Sequence, residues 1–199
     1  MDRSEFTSKY FIGMLALTPI GGASFPLVKY LLEILSPFHL LSYRLLGGAL
    51  CLLIIRPRFL FDISSFDLRG GVVTGIFLGS AMSLLTIGLV STGGGHGAFI
   101  LSTQVLMIPL IKRLFWREHI TLVMKCAIIV TFVGLLVLTV DIDQGIELNW
   151  GEASILLAAL SVAFFAVFNS LFSSDPRVNT YCLGGVQILT AGIIVCLLT

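Results

Sequence analysis

The stretch GGVVTGIFLGSAMSLLTIGLVSTGGGHGAFILSTQVLMIPLI, Gly70–Ile111, contains no Asp, Glu, Lys or Arg. As a helix rising 1.5 Å per residue it measures about 63 Å, roughly twice the 30 Å hydrocarbon core of a bilayer. Ser91-Thr92-Gly93-Gly94-Gly95-His96 interrupts it near the middle. The run reads as two membrane crossings joined by a short polar turn. An open strand would leave its backbone unpaired in lipid, and the run lacks the alternation of a barrel strand. Both crossings are therefore expected to be helices.

Outward from this stretch the chain keeps the same character. Of its 199 residues, 57% are hydrophobic and 12% are charged. Adding the 20 glycines and setting aside the 4 tyrosines brings the apolar share to about 65%, against about 45–50% in soluble domains. A small domain cannot hide that much apolar surface from water, and a disordered chain would be polar. The expected fold class is an all-α integral membrane protein. Seven spans are predicted: Tyr10–Val28, Pro37–Ile55, the two halves of Gly70–Ile111, Ile120–Val140, Gly151–Phe172 and Thr180–Thr199. Ser36-Pro37 supplies a cap and a first-turn proline. Asn149-Trp150-Gly151-Glu152 has the spacing of a capping box, and Asp175-Pro176 marks a turn. Trp116 and Trp150 fall at expected interfaces.

Charge placement gives an orientation. On the N-terminal side lie Arg3, Lys9, Arg56, Arg58, Arg69, Lys112, Arg113, Arg117, Lys125 and Arg177, ten of the twelve basic residues. The other side carries Asp141, Asp143 and Glu147, with Lys29 near the outer end of span one. The bias predicts a cytoplasmic N-terminus, in a bacterial inner membrane or plasma membrane. A net charge of +1 gives no field for nucleic acid. Cys51, Cys126, Cys182 and Cys196 all sit in apolar runs and read as small buried hydrophobes.

Positions 13–55 and 151–198 share a layout: a helix opened by glycine, a proline turn, then a second helix with Gly47-Gly48 or Gly184-Gly185. Five spans separate the two starts, so the second copy enters from the opposite face, as in inverted-repeat transporters. GGASFPLVKYLLEILSPFHLLSYRLLGGAL resembles the first helix pair of the EamA domain in the drug/metabolite transporter superfamily, at Phe25, Lys29, Pro37 and Arg44. GGGHGAFILSTQVLMIPLIKRLFWREHITL is similar to the family's fourth helix, at Ala98, Ser102, Gln104, Pro109 and Glu118. GLLVLT and NWGEASILLAALSVAFFAVFNSLF fit the close of one repeat and the start of the next. The family's common Trp-Gly pair is replaced here by Gly21-Gly22. The resemblance implies a bundle of inverted five-helix repeats, with 1–145 as the first and 146–199 as a second that stops after two helices. It also implies a carrier of small metabolites or drug-like solutes, working by alternating access through a cavity between spans one, three, four and six. A non-transporting scaffold derived from a half-transporter is the alternative. The implied partners are a solute and the lipid bilayer, with a second copy of the chain as a further candidate.

Candidate pathway residues are the polar ones set in apolar spans. Arg44 lies seven residues into span two, about 10 Å deep, where insertion of an arginine costs about 2.5–3.5 kcal/mol. It serves solute or snorkels to the headgroups. Lys29 either pairs with Glu33 at i,i+4 or meets solute. Ser102 and Gln104 in span four, Ser83 in span three and Asn169 in span six either line a cavity or bond other helices. Gly71, Gly75, Gly79 and Ser83 recur every four residues and predict close helix packing. Glu118 is expected to pair with Lys112, Arg113 or Arg117, and His39, His96 and His119 read as lone surface residues. No catalytic pair, metal set or cofactor motif is evident, which disfavours an enzyme; no carboxylate lies mid-span, so this stretch lacks the usual device for coupling transport to protons.

Overall fold

The computed structural model describes residues 15, 18–19, 21–24, 26–55, 57, 62–117, 121–139 and 149–197. Arg3, Lys9, Phe25, Arg56, Arg58, Glu118, His119, Asp141, Asp143, Glu147 and Thr199 lie outside them. The described residues contain helices and no strand. Residues 21–24 and 26–32 are helical (α1). Then come α2 (Pro37–Ile55), α3 (Ser65–Ser91), α4 (Gly94–Ser102), α5 (Gln104–Trp116), α6 (Leu122–Thr139), α7 (Trp150–Ser173) and α8 (Thr180–Leu197). Five described helical stretches are long and apolar enough to cross a membrane: Pro37–Ile55, Ser65–Ser91, Gly94–Phe115, Trp150–Ser173 and Thr180–Leu197. Leu122–Gly134 is a shorter apolar one.

α3 is the central post. At its start the Ser64 hydroxyl accepts from Asp67 N–H at 3.2 Å, and the Asp67 carboxylate accepts from Ser64 N–H at 2.9 Å. This capping box satisfies two donors that a helix start leaves without partners. The second Asp67 oxygen accepts from Asn179 N–H at 2.8 Å, just ahead of α8. One buried carboxylate thus holds the starts of two helices at one end of the bundle.

From that joint α8 runs parallel to α3 along the glycine stripe. A Cβ on Gly71 would strike Val186, one on Gly75 would lie 2.6 Å from Thr190 Cβ, and one on Gly79 would lie 3.1 Å from Ala191 Cα. α7 packs antiparallel on another face of α3, with Phe77 stacked on Phe164 and Phe168 at 5.4 and 5.5 Å. At the far end of α3, a Cβ on Gly88 would sit 2.6 Å from Gly151 O. Small residues are what let three helices meet this closely without a hydrophobic drive between them in lipid. Apolar side chains such as Val28, Leu40, Leu85, Leu89 and Ile155 fill the core at that far end.

Three local expectations need correction. Span four is not one helix but breaks at Thr103, between α4 and α5. Thr103 N–H turns back to Ile100 O at 3.1 Å, and the Ser102 hydroxyl donates instead to Phe99 O at 2.6 Å. Six residues on, Pro109 has no N–H for the carbonyl one turn earlier. The capping box at α7 does not form: Asn149 makes no side-chain cap, and Glu152 faces His96, Oε1 to Nε2 at 3.6 Å. α4 brings the His96 ring to that side chain, and the ring competes with the helix's own first turn for it. Of the cysteines only Cys182 is buried; Cys51, Cys126 and Cys196 lie on the outer surface of the described helices. An apolar residue in a membrane protein can be hidden from water by lipid as well as by protein.

Between α7 and α8 the turn is closed by a two-pronged Arg177–Asp175 ion pair, with Arg177 Nη2 donating at 2.7 Å and Nε at 3.0 Å. The guanidinium draws the Asp175 carboxyl down to about 2. It also covers the Phe66 ring at 4.1 Å, joining this turn to the start of α3.

Candidate functional site

Leu40 and Leu41 are the buried residues of α2. Arg44 follows them at i+4 and i+3, so it shares their helix face. The face opens into a cleft of about 280 Å³ formed by α1, α2, α3 and α4. Ser24 and Val28, Arg44, Met82 and Thr86, and Leu101 represent those four helices in its wall. A second cavity of about 200 Å³, between α2, α3 and α8, shares Arg44 and Met82 with the first. Small residues keep both spaces open: a Cβ on Gly21 or Gly48 would meet nothing within 4 Å.

The chemistry of the cleft is uneven. Ser24 donates its hydroxyl proton to Gly21 O at 2.6 Å, and Thr86 donates to Met82 O at 2.7 Å. Both therefore present lone pairs to the space. Arg44 has no hydrogen-bond or ion-pair partner among the described residues. No Asp or Glu is in the wall of either cavity among those residues.

Lys29 stands beside this cleft, next to Val28, and does not pair with Glu33. Its ammonium donates to Leu89 O and Val90 O, both at 2.8 Å. Those carbonyls are in the last turn of α3, where the helix offers them no donor and the dipole favours a cation. Lys29→Met should lower the stability of the folded chain by about 1–2 kcal/mol, the worth of charged hydrogen bonds to backbone carbonyls. Thermal unfolding in detergent measures it; an unchanged midpoint would mean that the carbonyls do not depend on the lysine.

The other expected pathway residues are dispersed. Asn169 Oδ1 accepts from Gln187 Nε2 at 2.6 Å, a bond between α7 and α8. Gln187 is buried in the same interface and was not singled out by sequence; a lone amide in an apolar span was the available signal. Ser102 is turned back on its own helix at the Thr103 break. Ser83 Oγ and Gln104 Oε1 are buried without a hydrogen-bond partner. Gly71, Gly75 and Gly79 face α8 rather than a cavity. The cleft also differs from the expected set of spans: α2 supplies a wall, and α7, which is span six, is absent from it among the described residues. α7 is instead drawn onto α3 by the Phe77 stack and the Gly88–Gly151 approach. His39 bonds the Ser36 hydroxyl, while His96 faces Glu152. Among the described residues no group of three or more His, Cys, Asp or Glu is placed to hold a metal.

Comparison with known proteins adds a family. The profile described as the EamA-like transporter family matches residues 8–140. The chain is 28% identical over 161 residues to the uncharacterized transporter YdfC of Bacillus subtilis, covering 77% of this chain and 51% of that protein. It is 24% identical over 197 residues to the uncharacterized transporter YyaM of the same organism, covering 92% and 64%. An uncharacterized transporter of Archaeoglobus fulgidus is 28% identical over 169 residues, covering 84% and 50%. The chain thus spans about half to two thirds of the length of these relatives. No solved structure matches it.

Proposed function

Because the chain belongs to the EamA-like transporter family, we propose that it is a membrane carrier that moves small solutes by alternating access through the Arg44 cleft. The observation that carries this reading is an arginine, unpaired among the described residues, in the wall of an open cleft lined by four apolar helices. A charge in such a place is costly to insert and is kept where it has work to do. We further propose an inverted-repeat organisation, with 1–145 as the first repeat and 146–199 as the opening helix pair of the second. Two directions support it. α1 ends beside the end of α3, through Lys29, and so runs parallel to it. α7 begins at that same end, through Gly151, and so runs against it. The N-terminus is proposed to be cytoplasmic on the strength of the basic-residue bias.

The test uses single cysteines in a chain whose four native cysteines are replaced. Gly94→Cys, at the end where α3 finishes, should react with an impermeant thiol reagent from outside intact cells. Ser174→Cys, at the other end, should react only after lysis. The reverse pattern would overturn the orientation. Ser24→Cys, in the cleft wall, should react from either side of oriented vesicles, because a carrier exposes its site to each in turn. Reaction from one side only, at saturating reagent, would favour the scaffold reading.

A further inference from the structure

We infer that the Arg44 cleft selects organic monoanions with an apolar body. This rests on the carrier reading for its purpose, but the selectivity follows from the groups in the wall. Among the described side chains in its wall, the cleft has one donor that is not already engaged, the Arg44 guanidinium. Its planar fork matches a carboxylate with two parallel bonds. The second cation, Lys29, sits at its rim with two of its three N–H groups on Leu89 O and Val90 O. Among the described residues, neither cavity has a carboxylate in its wall, so the local field is positive and draws anions.

The same groups reject other charge classes. A cation would be pressed against Arg44 with no counter-charge among the described residues. A dianion would place its second charge against the Ser24 and Thr86 oxygens. Those hydroxyls have spent their protons on Gly21 O and Met82 O and offer only lone pairs. A neutral polar solute would leave the guanidinium without a charge partner in apolar surroundings, which is costly. The remaining wall, with Val28, Met82, Leu85, Leu89 and Leu101, favours an apolar body. A space of about 280 Å³ takes one small aromatic or short aliphatic group. Methionine in the wall adapts to more than one shape.

The experiment is equilibrium binding of four probes of similar body to the purified full chain in lipid nanodiscs at neutral pH. Benzoate is the monoanion, benzamide the neutral analogue, benzylammonium the cation and phthalate the dianion. Benzoate should bind saturably, at least about tenfold more tightly than each of the others, the scale set by a charged hydrogen-bonded pair. Arg44→Gln should weaken benzoate about tenfold or more and bring it level with benzamide. Arg44→Lys should recover part of the difference. The probe series on the unaltered chain stands on its own if Arg44→Gln does not fold. Equal or tighter binding of benzamide, benzylammonium or phthalate would overturn the proposal, as would an absence of benzoate binding or benzoate binding that a folded Arg44→Gln leaves intact. Binding does not require turnover. Benzoate binding with one-sided Ser24→Cys labelling keeps the anion site and removes the carrier. Two-sided labelling without benzoate preference keeps the carrier and removes the anion site.

Discussion

Gly75→Ala should destabilise the folded chain by about 2 kcal/mol, whereas Gly184→Ala should be neutral or stabilising by up to about 1 kcal/mol. Both substitutions add one methyl group to a helical glycine, and both gain the better helix propensity of alanine. The difference is what the methyl meets. At Gly75 it would lie 2.6 Å from Thr190 Cβ and 2.9 Å from Gln187 O. One of these is backbone, so relief requires α8 to move away from α3. Such a shift would loosen the contacts at Gly71 and Gly79 and strain the nearby Asn169–Gln187 bond. Overpacking of this kind costs about 1–3 kcal/mol, toward the upper end where backbone must give. At Gly184 nothing lies within 4 Å, so only the propensity gain of about 1 kcal/mol remains. Unfolding of each variant in detergent, by heat or by SDS titration, gives the comparison. Equal midpoints for the two would show that the stripe does not set the α3–α8 distance.

That contrast also marks how far sequence carries. The four-residue period of Gly71, Gly75 and Gly79 told that a close helix contact exists, because only small residues allow it. It did not name α8 as the partner, since the six other apolar runs were equally eligible. Span limits were legible for the same physical reason. Lipid demands a certain length of apolar residues, and α2 occupies the predicted Pro37–Ile55. The break at Thr103 was not legible. It depends on which carbonyl each donor chooses, and the single cue, Pro109, lies six residues away. For Lys29 the sequence offered Glu33 or solute, because it reveals neighbours along one helix only. Its actual acceptors, Leu89 O and Val90 O, are sixty residues distant and belong to the backbone, which has no sequence signature. Arg44 was recognisable as a costly charge, but its cleft had to be seen. The four helices that form the cleft meet beside it through apolar side chains such as Val28, Leu40, Leu85 and Ile100, whose spacing in sequence says nothing of the space between them.

Asp67→Asn should cost about 2–3 kcal/mol of stability, and Asp67→Ala somewhat more, although the residue touches neither cavity. Ser64-x-x-Asp67 has the spacing of a capping box, a signal that was not singled out by sequence. In the structure Asp67 is 1% exposed. Its two oxygens accept from different donors, Ser64 N–H at 2.9 Å and Asn179 N–H at 2.8 Å. A carboxylate can satisfy both because each oxygen is an acceptor. An asparagine has one acceptor and turns an NH2 group toward the other donor, so one bond is lost and replaced by an opposed pair. Hydrogen bonds to a charged group are worth about 1.5–3 kcal/mol each, and the acidic side chain at the start of α3 also loses its interaction with the helix dipole. Ser64→Ala removes only the hydroxyl cap on Asp67 N–H and should cost about 1 kcal/mol. Hydrogen exchange separates the long-range bond from the local one. In Asp67→Asn the Asn179 amide should lose protection along with those in the first turn of α8, whereas in Ser64→Ala it should keep it. If Asp67→Asn melts with the unaltered chain and Asn179 stays protected, α8 is held at this end by the packing of Leu183 and Val186 on α3 alone, and the carboxylate is no joint.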